Sequence, residues 1–488
     1  MPFVCLIDTA GIQEYIYARN ELRSIADASG YLKKLTEPGG LFREVVERHG
    51  VSVIFAAGGN IALRAETKAP LQAVCKEISR ELIVAGKGLE IVAAIESYEE
   101  KRLAEGYLKA LALLEQRKLT QTRNVPFTFP GLSGESDSPT PRKSKHKSGY
   151  ILPTQTDAQL IMRCSGEESD LMAVVSMDGI GMGKKLQSWM QGVLHEDARF
   201  ESEFKLWSEY IQKRWDAAWE RAVDELEAAF PSPYFLLAHQ TLPERELKLW
   251  WDDEGNPYLP CRKIYQGGDD LTFLCDARIA LGFTRNLIGH LEAPQHGEEA
   301  THIPEIFHRL SVSAGIVFVN AHFPFRRAVR MAEAIQKRAK KVAVEESDTD
   351  PKSRMDWWLN RTGALERPDV GALATKSSLR PAALEDWDQF ESEELTGAWR
   401  AFAESRNKLK ALGEAAQDGA EAVQEFLALR GVPDPENPKA TVRTLDFLPR
   451  VSSKTGFDNN RETVLVDITE LFDIHFPLPQ SATEEVAA

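Results

Sequence analysis

Asp178 closes the apolar run Leu171-Met172-Ala173-Val174-Val175-Ser176-Met177, and Asp269 and Asp270 follow the pair Gly267-Gly268 between two other short runs. If those runs are strands of one sheet, the two acidic loci converge on one edge of a cleft. Carboxylates brought together repel, and a divalent cation relieves the repulsion. Hard oxygen ligands with water-filled positions suit Mg²⁺, which takes one or two carboxylates plus substrate phosphates. This is how a nucleotide site is built, and Gly267 and Gly268, without Cβ, let the backbone come close to a base or phosphate. By itself Gly-Gly-Asp-Asp is more often a plain hairpin turn than a catalytic site. Its weight comes from its placement, and from the run Ser311-Val312-Ser313-Ala314-Gly315-Ile316, His322-Phe323-Pro324 and a following helix with Lys337, Arg338, Lys340 and Lys341. Those cations stand where a triphosphate tail could lie, unless they form a solvated helix face.

The elements that must hold these residues follow from hydrophobic period. Phe3 to Ile7 reads as a strand, and Ile12, Tyr15, Ile16, Leu22, Ile25 and Ala26 recur at helical spacing. Val51–Ala56, the turn Gly58-Gly59-Asn60 and Ile61–Ala65 read as a hairpin, Leu71–Ile83 as a helix, Leu89–Ile95 as a strand and Tyr98–Gln116 as a helix. The order is β-α-β-β-α-β, a ferredoxin-like module. It recurs: a strand at 171–178, a helical stripe (Phe204, Trp207, Ile211, Trp215, Trp219, Val223, Leu226, Phe230), a hairpin around 267–270, a helix at 277–291, a strand at 310–319 and a helix from Arg326 to about Val342. In each module the first strand is expected beside the second and third. Tyr15, Tyr17 and Arg19 could touch a base but read better as core. Domains are expected at 1–123 and 161–348, joined by a basic Pro/Ser-rich linker at 124–160, with a mainly helical domain at 349–488. That last domain includes a strand-like run, Thr463–Ile468.

The motifs Met177-Asp178-Gly179, Gly181-Met182-Gly183-Lys184, Gly267-Gly268-Asp269-Asp270, Ser313-Ala314-Gly315-Ile316 with His322 and Pro324, and Ala332-Glu333 to Ala339-Lys340 occur in order. Together they resemble the second Palm domain of the large polymerase-like subunit of type III CRISPR effectors. Gly11-Ile12-Gln13-Glu14-Tyr15-Ile16-Tyr17, Leu22-Arg23, Ala28-Ser29 and Gly58-Gly59-Asn60 resemble that subunit's degenerate first Palm. The resemblance spans residues 1 to about 345. It implies an α+β fold of two Palm domains plus a helical C-terminal domain, and joining of ATP into cyclic oligoadenylates in antiviral defence. By position, Asp178 and Asp269 would hold Mg²⁺ or Mn²⁺, Asp269 and Asp270 would be catalytic, and Gly267, Gly268, Ser313, Lys340, Gly58, Gly59 and Asn60 would bind nucleotide. Ile180 stands where many members carry a second Asp, which removes one potential ligand. No His-Asp dipeptide occurs, so HD nuclease chemistry is not expected. The alternative is a non-catalytic scaffold that binds guide or target RNA and partner subunits.

Composition sets the bounds. The chain has 488 residues, 59 Lys+Arg against 74 Asp+Glu and a net charge of -15, which argues against a duplex lying across its whole surface. Five scattered cysteines without a C-x-x-C pair suggest neither a disulfide framework nor a zinc ribbon. With no basic, apolar leader and no long apolar stretch, the chain is expected in the cytoplasm, off the membrane. ATP is the expected small-molecule partner. Guide or target RNA, other effector subunits and a second copy of the chain remain open as further partners.

Overall fold

The computed structural model describes residues 1–17, 22–36, 39–57, 59–84, 89–120, 144–145, 151–152, 160–164, 167–168, 170–230, 234–236, 246–294, 303–360, 377–437 and 439–478. Most of the expected linker at 124–160, along with Arg19 and Gly58, lies outside them.

The first module runs β1 (Phe3–Ala10), α1 (Ile12–Ile16), α2 (Leu22–Thr36), α3 (Leu41–Arg48), β2 (Ser52–Ala57), β3 (Asn60–Ala65), α4 (Lys68–Val84), β4 (Glu90–Ser97) and α5 (Leu103–Thr120). Its sheet order is β2-β3-β1-β4, so the first strand lies beside the third and fourth, not the second. That corrects the expected neighbours: β2 and β3 form a hairpin whose inner strand alone can reach β1. Val4 and Leu6 pack with Tyr107, Ala110 and Leu114 of α5, whereas Cys5 and Ile7 pack with Leu71, Val74 and Ile78 of α4. A strand covered on both faces reads as an unbroken apolar run, which is why it stands out in the sequence.

Short strands β5 (Ser144–Lys145) and β6 (Ile151–Leu152) pair with each other, and β7 (Arg163–Cys164) and β8 (Glu167–Glu168) join β10 (Tyr234–Leu236) and β11 (Glu246–Lys248) in a small sheet. The second module is β9 (Leu171–Gly179), α6 (Met182–Gly192), α7 (Asp197–Ala228), β12 (Cys261–Gly267), β13 (Asp270–Asp276), α8 (Ala280–Glu292), β14 (Val312–Asn320) and α9 (Phe325–Glu346). Its sheet order is β12-β13-β9-β14-β15-β16. The order of the first four repeats the first sheet. The last two, β15 (Arg354–Leu359) and β16 (Ala382–Ala383), come from beyond residue 348, β15 pairing parallel with β14. The C-terminal region is otherwise helical, with helices at Leu384–Gln389, Thr396–Phe402, Arg406–Asp418 and Ala420–Leu429. The strand-like run at 463–468 is instead the start of a helix, Leu465–Leu471. Val464, Leu465, Ile468 and Leu471 pack one apolar face against the helical region's core, and burial outweighs the strand propensity of the β-branched pair among them.

The two modules share their core. Both buried clusters draw residues from each module, and the aromatic stripe on α7 carries much of the joint: Phe204 meets Phe55 of β2 at 5.0 Å and Tyr107 of α5 at 5.2 Å between ring centroids. Asp197 accepts a hydrogen bond from the Leu103 N–H, and Glu201 pairs with Arg64. In the other direction Tyr17 is buried against Phe325 of α9 and bonds Thr272 of β13. Tyr17 is therefore core, as its spacing suggested.

Candidate active site

In register, Asp178 of β9 stands opposite Asp270 of β13 on one side and Ser313 of β14 on the other. Asp269 sits in the turn that links β12 to β13, and the Gly179 N–H donates to its carbonyl at 3.2 Å. The sequence therefore brings together the three carboxylates it was expected to: Asp178, Asp269 and Asp270 each offer an oxygen within 4.8 Å of the others. Gly179 is required for this. A Cβ there would lie 2.7 Å from Asp269 Oδ2 and 2.8 Å from Met182 Cγ. The next residue, Ile180, is fully buried and its N–H bonds the Ser311 carbonyl at 2.8 Å, so it anchors the turn to the core.

Electrostatics mark the cluster. Burial, then the charge of Asp178, pushes the Asp269 carboxyl up to about 6. Asp270 shifts the same way: part of its carboxyl loses water at the foot of the turn although the residue as a whole stays exposed, and it shares a hydrogen bond with Asp178. The countercharge is Lys340 on α9, which bonds Asp178 Oδ2 and donates to the Gly179 carbonyl at 2.9 Å. Three carboxyls beside one ammonium, two of them pushed towards their protonated forms when no cation is bound, are a donor set of hard oxygens that fits a divalent cation with water or phosphate completing its shell.

The helix that carries Lys340 comes unusually close to the sheet. At Gly315, facing α9, an added Cβ would be 2.1 Å from the Ala332 carbonyl oxygen and 2.3 Å from the Gln336 nitrogen. This approach also places Gln336, which spacing arguments overlooked: its amide donates to Asp178 Oδ2 at 3.2 Å and to Ser313 Oγ at 2.5 Å. Ser313 is fully buried and its hydroxyl donates to the Asp178 carbonyl at 3.1 Å. The expectation that Ser313 touches nucleotide is corrected: it braces Asp178 from beneath. Gly268 lies open in the turn with φ +63°, while over Gly267 the space is taken by the Tyr265 hydroxyl.

The first module repeats this geometry without the two acids of the turn. Its hairpin has the same register and the same bulge as the second, offset by 210 residues throughout (Val53↔Leu63 against Lys263↔Phe273, Ala57↔Asn60 against Gly267↔Asp270). Gly59 thus stands where Asp269 stands, and Asn60 where Asp270 does. Asn60 is opposite Asp8 on β1, and Asp8 pairs with Lys118 on α5 at 2.7 Å as Asp178 pairs with Lys340 on α9. Among the described residues, the buried Asn60 Oδ1 has no hydrogen-bond partner. Asp8 also contributes to the field at Tyr265, on the strand that leads into the second turn.

Residues 171–347 match the family model of the second palm domain of Cas10/Cmr2. That segment is a Cas10/Cmr2 second palm domain. Beyond it, the whole double-palm architecture resembles solved Csm1 structures. Csm1 from T. onnurineus aligns with a TM-score of 0.57 at 13% identity, over 97% of this chain and 69% of that one. The Csm1–Csm4 cassette in complex with cA4 and the cassette with one ATP each align with a TM-score of 0.54 at 14% identity, again over 97% and 69%. No curated protein matches. The Cas10/Cmr2 palm model runs to residue 347, just short of β15, and takes in all three carboxylates, Gln336 and Lys340.

Proposed function

We propose that this chain is a nucleotidyltransferase that converts ATP into cyclic oligoadenylate for type III CRISPR antiviral signalling, with chemistry at the second palm. The observation that carries the reading is the in-register placement of Asp178 and Asp270 with Asp269 in the adjoining turn, three carboxyls whose oxygens meet within 4.8 Å. The similar Csm1–Csm4 cassettes include complexes with ATP, cA3 and cA4, which supports ATP as substrate.

In this reading Asp178 and Asp269 hold Mg²⁺ or Mn²⁺, which when bound neutralises the phosphates and activates the attacking ribose hydroxyl. The bond formed joins that ribose oxygen to the α-phosphorus of a second ATP, the bond broken releases pyrophosphate, and the hydroxyl proton passes to solvent. The chain's own work is positioning. Asp270 completes the acidic hairpin, the open backbone at Gly268 admits the nucleotide, and Lys340 turns from Asp178 to the phosphates. Gly59 and Asn60 face the second nucleotide, with the unpartnered Asn60 Oδ1 as an acceptor for it. Asp178, Asp269 and Asp270 are all present, so loss of an acid at Ile180 leaves a working metal pair. We assign RNA as activator and a Csm4-like subunit as the neighbour in the assembly, and place the protein in the cytoplasm; among the described residues no helix is long and apolar enough to cross a membrane.

Pyrophosphate release from ATP, measured with the wild-type chain and with Asp269→Asn, tests the reading. Metal-dependent release that the substitution abolishes supports it, and release that survives the substitution refutes the site.

A further inference from the structure

Two side chains bond the same oxygen of Asp178, with opposite consequences for a cation. Lys340 brings a positive charge, so its bond to Oδ2 competes with a metal ion. Its side chain is 36% exposed and can swing into the cleft. Gln336 brings no charge, is 4% exposed, and has no water to turn towards. Its Nε2 spans Asp178 Oδ2 and Ser313 Oγ, while Ser313 Oγ closes the triangle onto the Asp178 backbone carbonyl. The carboxylate plane therefore cannot rotate without leaving a buried amide donor unpaired, at a cost of about 1–3 kcal/mol.

The backbone beneath Gln336 is equally constrained. Gly315 admits α9 to within contact of β14, and two residues along the helix Arg338 forks onto both oxygens of Asp356 on β15, itself fully buried. Asp356 in turn lies in the field of Arg380, which pairs with the buried Asp467.

We propose that Gln336 is a positioning residue for the metal-binding carboxylate Asp178: it fixes the orientation of that carboxylate in the state where a cation has displaced Lys340. The proposal rests on the reading of Asp178 as a metal ligand. Neutral outer-shell partners of metal carboxylates commonly account for 10–100-fold in affinity.

The test is calorimetric titration of the full-length chain with Mn²⁺ in the absence of nucleotide, on wild type, Gln336→Leu and Gln336→Glu, with the Mn²⁺ dependence of ATP turnover alongside. Gln336→Leu is expected to weaken Mn²⁺ binding about 10-fold, with turnover at saturating Mn²⁺ recovering to within a few-fold of wild type. A purely structural side chain would lower Tm and leave the Mn²⁺ affinity of the folded protein unchanged, and that result would overturn the proposal. Gln336→Glu keeps the shape but removes the donor, so it should fail to restore wild-type affinity, and wild-type affinity in that variant would also count against it. If Gln336→Leu does not fold, Ser313→Ala frees the amide from its anchor and should weaken Mn²⁺ in the same direction, with no change overturning the proposal. Wild type that binds Mn²⁺ without consuming ATP would sink the proposed function but not this inference, whereas wild type that binds no Mn²⁺ sinks both.

Discussion

At the scale of single residues, the site is a compromise between charge and folding. Asp269 and Asp270 are held in a place that favours their protonated forms, so the metal-free protein gains stability from them at low pH and loses it as pH rises from the ordinary carboxylate range through about 6 for Asp269. Asp269→Asn and Asp270→Asn are therefore expected to raise the Tm of the metal-free protein above pH 7 while lowering ATP turnover by at least about 100-fold, more than loss of an outer-shell partner costs. Thermal melts with and without Mg²⁺ check the same physics: protons and cation compete for these oxygens, so the Mg²⁺-induced rise in Tm should be small at pH 5 and larger at pH 8. The three acids were legible in the sequence because each lies at or beside the end of an apolar strand run. Gln336 was not, because nothing in a helix marks which polar residue meets a strand 158 positions away.

At the scale of elements, the approach of α9 to β14 sets the site. Gly315→Ala puts a methyl group against the Ala332 carbonyl and the Gln336 nitrogen, both backbone atoms of the helix that cannot step aside singly. The helix must move out, and the expected cost is about 1–3 kcal/mol or more, with Lys340 and Gln336 withdrawn from Asp178. Denaturant unfolding together with Mn²⁺ affinity reads both effects. The repeated strands and the stripe on α7 were visible from their period. The lateral order of strands was not: period tells which residues face a core, but which strands become neighbours depends on pairings far apart in sequence. The same reason hid β15, whose parallel partner β14 is reached only through α9, and led the run at 463–468, apolar and β-branched, to be read as a strand.

At the scale of the whole molecule, one unit occurs twice with different turns. The two hairpins share register and bulge, yet only the second has acids at the turn. The modules are joined by the aromatic contacts of Phe55, Tyr107 and Phe204 and by Tyr17 seated on the second palm. Tyr17→Ala should cost about 3 kcal/mol or more from the cavity it leaves. Because the core is shared, heat or denaturant should unfold both palms in one transition, and two separate transitions by calorimetry would contradict that. The duplication and the acidic cluster were both readable from sequence; the shared core that joins the modules required the packing of α7 and Tyr17. The central claim is that the acidic site makes a cyclic adenylate. Mass spectrometry of the products is the most direct test, with ATP, Mg²⁺ and the full chain, alone and with RNA-loaded partner subunits from its host. The account predicts cyclic oligoadenylate from the wild type and none from Asp269→Asn. No adenylate product under either condition, or the same product from the variant, would contradict it.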